Sequence, residues 1–138
     1  MRPVLLYIVW FAGGRCAHAA GAPPLCLPDL PPAAIHVGPP SGWTPYVARA
    51  MQLQSVTLLE GPPAETAVLQ RDASKPLPGG RVDIWRNLSG MQPKWLSCNY
   101  GAASEVMLAR PLEKNTQSCS VTYQRRKQGG TDIRIACQ

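Results

Sequence analysis

The chain has 138 residues, 14 basic side chains against 8 acidic ones for a formal charge of +6, five cysteines and 15 prolines. That length holds one domain with a modest core, and two histidines with so few carboxylates leave little material for a catalytic triad or a metal centre. The sequence contains no glycine-rich phosphate loop, EF-hand or metalloprotease motif, so the chemistry those motifs carry has no support here.

Met1 and Arg2 open the chain on a positive charge, Pro3 to Ala12 form an apolar run, and Ala17-His18-Ala19 brings small residues to the end of that run. This is the layout of a secretory signal peptide over residues 1–19, cut after Ala19. An apolar run of about ten residues is short of the ~20 needed to cross a bilayer as a helix. Arg15, directly before Cys16, removes the small residue that a lipoprotein signal requires. The expectation is an exported single domain over 20–138, periplasmic or secreted, with no membrane anchor after cleavage and monomeric.

From Ala20 to Pro45 proline recurs (Pro23-Pro24, Pro28, Pro31-Pro32, Pro39-Pro40, Pro45), removing backbone donors and fixing φ, which disfavours helix and central strand alike. This is an extended lead-in with one short edge strand over Ala33 to Val37. Trp43 is expected to cover one side of the core, because large aromatics dominate burial in small domains. Gln54 to Glu60 reads as a strand ended by the turn residues Gly61-Pro62-Pro63. Glu65 to Gln70 is a further short strand or one helical turn, and Lys75 to Gly80 an open loop. Arg81 to Leu88 alternates, with Val82 and Ile84 on one face and Asp83 and Trp85 on the other. Its expected partner is Lys94 to Gly101, reached across Ser89 to Pro93, a connection of hairpin length. In that strand Leu96, Cys98 and Tyr100 share one face and Trp95, Ser97 and Asn99 the other. Glu105 to Arg110, Ser118 to Tyr123 and Thr131 to Cys137 complete a mainly β fold: an antiparallel meander forming a curled sheet, small barrel or sandwich.

Loss of Cys16 with the leader turns an odd cysteine count into an even one, Cys26, Cys98, Cys119 and Cys137, which in an oxidising compartment reads as two disulfides. Zinc is the competing use, but no pair has CxxC spacing and His36 stands far from every cysteine, so neither metal nor cofactor is expected. A hairpin centred near Lys127 and Gln128 sets Cys119 about opposite Cys137, leaving Cys26 for Cys98. The other scheme joins Cys98 to Cys119 and Cys26 to Cys137.

Several of these features together resemble a known family. They are Cys26-Leu27-Pro28, the strand running into Gly61-Pro62-Pro63-Ala64-Glu65, the Ile84-Trp85 strand, Trp95-Leu96-Ser97-Cys98-Asn99-Tyr100, Cys119-Ser120-Val121-Thr122-Tyr123 and the terminal Ile135-Ala136-Cys137. The pattern is similar to that of small, uncharacterised, four-cysteine periplasmic proteins of Gram-negative bacteria catalogued only under a locus tag. The resemblance implies an exported, disulfide-bonded, mostly β protein and transfers no catalytic residue. Leu27, standing between Cys26 and Pro28, departs from the adjacent pair of that pattern.

Three functions fit this inventory. The first is a non-catalytic exported binding protein of the inhibitor or immunity type, meeting a protein partner in the cell envelope. Its candidate binding residues are Arg125, Arg126 and Lys127, the densest basic cluster, whose plainer role is a solvated hairpin tip. The second is a cell-wall or glycan hydrolase using carboxylates such as Glu60, Glu65, Asp72 and Asp83, which would have to face one another across a cleft. The third is association with a lipid surface through the basic loop. Nucleic acid is not expected, since its footprint is a broad basic face with exposed aromatics.

Overall fold

Eight strands and two single-turn 3-10 helices make up the regular structure of residues 24–138, the part of the chain described by the computed structural model. The signal peptide over 1–19, its cleavage after Ala19 and the pairing state of Cys16 lie outside the described residues. The strands are β1 (Asp29–Leu30), β2 (Met51–Glu60), β3 (Ala73–Leu77), β4 (Gly80–Trp85), β5 (Lys94–Tyr100), β6 (Val106–Pro111), β7 (Cys119–Arg125) and β8 (Thr131–Cys137). They form two four-stranded antiparallel sheets, ordered β1-β2-β5-β6 and β3-β4-β7-β8, and neither closes into a barrel.

One core is shared by the facing sides of both sheets. Leu96, Cys98 and Tyr100 of β5 lie beside Val56 and Leu58 of β2, and meet Trp85 of β4 with Cys119, Val121 and Tyr123 of β7. The period-two alternation of each strand places these residues on its inner side. Burying a side chain the size of Leu58 or Leu96 contributes about 1.5–3 kcal/mol. Each sheet carries one disulfide: Cys26, just before β1, is bonded to Cys98 of β5 with Cα atoms 5.7 Å apart, and Cys119 of β7 to its cross-strand neighbour Cys137 of β8, 4.1 Å apart.

The expected antiparallel β class holds, but the pairing differs from a simple meander. β4 pairs with β3 and β7, not with β5, and β5 lies between β2 and β6. The segment Arg86–Pro93 therefore crosses between sheets and is no hairpin turn. Lys75 to Gly80 is not an open loop: it supplies most of β3 and the tight Pro78-Gly79 turn into β4. Pro76 is tolerated because β3 is an edge strand and its missing N–H faces no neighbour. Gly80 has no substitute here, since a Cβ at that position would stand 1.9 Å from the carbonyl oxygen of Tyr123. The edge strand expected at Ala33–Val37 is absent. A 3-10 turn occupies Pro32–Ala34, and pairing with β2 comes instead from Asp29 and Leu30.

The outer edge of β2 has no single partner along its length, and several elements satisfy it in turn. Leu53 N–H donates to the Pro28 carbonyl, Leu58 C=O accepts from Leu69 N–H, and Glu60 N–H donates to the Ala67 carbonyl. Between them Val56 is served by a side chain from the other sheet: the Tyr123 hydroxyl accepts from Val56 N–H at 3.1 Å and donates to Val56 C=O at 3.2 Å. The second sheet is thereby hydrogen-bonded to the first at the middle of the sandwich.

Candidate protein interface

Register sorts the connections by end. Leu30 pairs with Met51, Tyr100 with both Leu53 and Val106, Leu77 with Gly80, Gly80 with Gln124, and Arg125 with Thr131. The β1–β2, β3–β4, β5–β6 and β7–β8 connections therefore gather at one end of the sandwich. Two hollows there join the sheets. One, of ≈ 440 Å³, is lined by Gln54 of β2 together with Gly79, Arg81, Tyr123 and Arg125. The other, of ≈ 290 Å³, brings Pro28 and Leu53 against Arg126 and Ile133.

The β1–β2 connection, residues 31–50, is the longest of these. Five prolines (Pro31, Pro32, Pro39, Pro40, Pro45) hold it extended. Its backbone is bonded mainly to itself: Ala34 N–H to Pro31 C=O, Ile35 N–H to Pro32 C=O, and Trp43 N–H to Pro40 C=O. The last bond closes a turn over Pro40-Ser41-Gly42-Trp43, in which Gly42 adopts φ +85, the left-handed conformation that a type II turn requires at its third residue. Ile35 packs against the edge of the core, whereas Val37 (51 %), Trp43 (74 %) and Tyr46 (87 %) stand in solvent. The expectation that Trp43 covers the core is thus overturned. A segment carrying a proline every few residues forms no strand that could turn a side chain inward, and that proline density was the available signal.

At the same end is the β7–β8 hairpin with Arg125, Arg126 and Lys127, whose Arg126 shares a hollow with Pro28 and Leu53 at the arm's foot. Arg125 N–H donates to Gly79 C=O and Arg126 N–H to Gly130 C=O, while the three side chains are exposed. Arg49 at the arm's exit and Arg81, whose guanidinium lies 4.1 Å from the Tyr123 ring centroid, add positive charge. Asp29 of β1 is exposed at the arm's foot, and the other acidic groups nearby are turned to other work. Asp132 pairs with Arg134 at 2.8 Å, Glu105 accepts from Ala103 N–H, and buried Asp83 is held by Ser74, Arg81 and Arg71. This end is therefore net positive, with apolar side chains projecting from an extended loop.

Two phenols support the end from inside. Burial is the main cause that raises Tyr123 above its ordinary value of 10.0, with Asp83 adding to it while the Val56 bond, Arg81 and Arg71 oppose it. Burial likewise raises Tyr100, which donates 3.1 Å to the Leu27 carbonyl at the foot of the arm; that bond opposes the rise and Asp29 adds to it.

Of the acidic side chains considered for glycoside chemistry, Glu60 is bound to Lys94 across β2 and β5 and Asp72 Oδ2 accepts from Arg86 N–H. With Asp83 engaged as above, these carboxylates are committed to separate structural bonds. The far end of the sandwich carries a more apolar hollow of ≈ 370 Å³ between Leu88, Met91, Pro93 and Leu112. Among the described residues no group of three His, Cys, Asp or Glu side chains is placed to hold a metal ion, and no helix is long and apolar enough to cross a membrane.

A family model described as "Type VI secretion system Tli immunity protein" matches residues 48–138. No curated protein and no solved structure matches the chain.

Proposed function

The chain belongs to the type VI secretion system Tli immunity protein family, and we propose that it is exported by its N-terminal leader, cut after Ala19, to act in the periplasm. There it binds the toxic effector it answers to, one to one, as a folded monomer and without chemistry of its own. The observation that supports this most directly is the loop-bearing end, which carries both an exposed apolar arm and a cluster of cations on a body tied by two disulfides. Arg125, Arg126 and Lys127 belong to the binding face, where they steer an acidic partner into register. An oxidising compartment is where such disulfides form and persist.

Co-expression tests the reading. The full-length chain is expected to rescue cells carrying a periplasm-directed type VI effector, while a chain starting at Ala20 without the leader fails to do so. Mass spectrometry of the exported protein is expected to show a start near Ala20 and a mass four protons below the reduced form. Rescue by the leaderless cytoplasmic chain, or free thiols on all four cysteines, would count against it.

A further inference from the structure

Resting on that immunity reading, we propose that the arm over 31–50 is the segment that enters the effector, with Trp43 and Tyr46 as anchors, and that its target is a concave apolar cleft with an acidic rim. Trp43 and Tyr46 are 74 % and 87 % exposed in a domain that buries Trp85, Tyr100 and Tyr123 to 6 % or less. Tryptophan and tyrosine are the residues that most often carry binding energy when a partner encloses them. Burying them costs little entropy because their environment is already set. Five prolines limit the backbone, the Pro40–Trp43 turn fixes the tip, and both feet are tied. At one foot Leu30 pairs with Met51 and Leu53 N–H bonds Pro28; just before it Cys26 is bound to Cys98. An extended, pre-shaped loop on a stapled body suits insertion better than it suits a flat contact.

Charge defines the rim. No acidic residue occurs between Pro31 and Ala50, the arm itself carries Arg49, and the same end carries Arg125, Arg126 and Lys127 against one exposed carboxylate at the arm's foot, Asp29. A cleft receiving the arm meets cations on its border and apolar rings at its centre, the division of labour between rim and core seen in specific interfaces. The family match starts at residue 48, so Trp43 and Tyr46 lie outside the stretch shared through that match.

The two parts of the surface leave different kinetic marks. With a purified effector whose toxicity the wild-type chain neutralises, surface plasmon resonance is expected to show that Trp43→Ala with Tyr46→Ala raises the dissociation rate about 100-fold or more and leaves the association rate within about threefold. Arg125→Ala, Arg126→Ala and Lys127→Ala together are expected to lower the association rate and flatten its salt dependence, with little change in dissociation. If the aromatic double variant binds and protects like wild type, the arm is not the inserted segment, although the immunity reading stands. If that variant instead dissolves a dimer seen by sedimentation while effector binding is unchanged, the occupant is a second copy and the proposal fails. If the wild-type chain itself binds and neutralises no effector, the immunity reading falls and takes the arm with it.

Discussion

The body and the arm spend their aromatic residues in opposite ways. In the body Trp85 is 4 % exposed, Tyr100 1 % and Tyr123 6 %, and the polar tips of these three reach backbone carbonyls, Trp85 Nε1 that of Leu69, Tyr100 that of Leu27 and Tyr123 that of Val56, while half-buried Trp95 has a buried Nε1 with no partner among the described residues. In the arm Trp43 and Tyr46 neither join the core nor donate to a carbonyl among the described residues. The difference comes from the backbone beneath them. A strand with ladder partners on both sides turns alternate side chains to a common interior, whereas the proline-fixed arm has no ladder among the described residues and is held at its feet, at Ile35 and by its own turns. Stability therefore resides in the body and recognition is carried by the arm, and the two can be altered separately.

The sharpest break in this division is expected at the staple nearest the arm's foot. Cys26–Cys98 spans a sequence separation of 72 and Cys119–Cys137 one of 18. On the loop-closure account these contribute about 4 and about 3 kcal/mol. Cys26→Ser with Cys98→Ser is expected to lower the urea midpoint more than Cys119→Ser with Cys137→Ser, and to speed hydrogen exchange at Leu53 N–H, which bonds Pro28 beyond the lost link. Equal losses from the two pairs would mean that strain or packing, and not loop closure, governs them.

A smaller effect is expected at the hydroxyl that joins the sheets. Tyr123→Phe keeps the ring and removes both bonds to Val56, leaving its buried N–H and C=O unpaired at a cost of about 1–3 kcal/mol. The same change in the arm, Tyr46→Phe, takes nothing from the fold. Chemical denaturation of the two variants side by side measures the contrast directly, and a neutral Tyr123→Phe would show that water replaces the hydroxyl.

Alkaline titration probes the same bond without mutation. Tyr100 and Tyr123 are both raised above 10.0 in the folded chain, so at high pH the native state holds protons that the unfolded state has released. Their stabilising contribution is complete below pH 10.0 and falls as pH rises from there through the raised native values. Unfolding free energy is expected to decline over that window, and less so in Tyr123→Phe than in wild type. An identical decline in both would assign the effect to other groups.

How much of this was legible in the sequence follows the same line between body and arm. Strands β2, β4, β5, β6, β7 and β8 announce themselves by alternation, and Cys98, Leu96 and Tyr100 share the inner face that their spacing requires. What alternation does not carry is the choice of partner. The short span between β4 and β5 looks like a hairpin, yet β5 is satisfied by β2 from far upstream, a pairing set by which inner faces fit together. β3 was hidden because Pro76 and Pro78 remove donors, and a strand needs those donors only where it has a neighbour on that side. Hydrophobicity alone misplaces Trp43, because the proline-rich backbone beneath it forms no strand to carry it inward.

The smallest expected effect is therefore the one that tests the division most closely. Trp43→Ala with Tyr46→Ala removes two rings that bury little in the isolated chain, so its unfolding free energy from urea denaturation is expected to stay within about ±0.5 kcal/mol of wild type. Gly42→Ala adds a useful neighbour to this measurement. Nothing lies within 4 Å of the added Cβ, so any loss comes from the left-handed φ of +85 at the turn and not from packing. A fold unmoved by all three substitutions means that the arm's conformation and its rings are dispensable to the body. A destabilisation of more than about 1 kcal/mol by the aromatic pair alone would mean that the rings fold back onto the sandwich in solution, and that the free chain hides the surface it is expected to present.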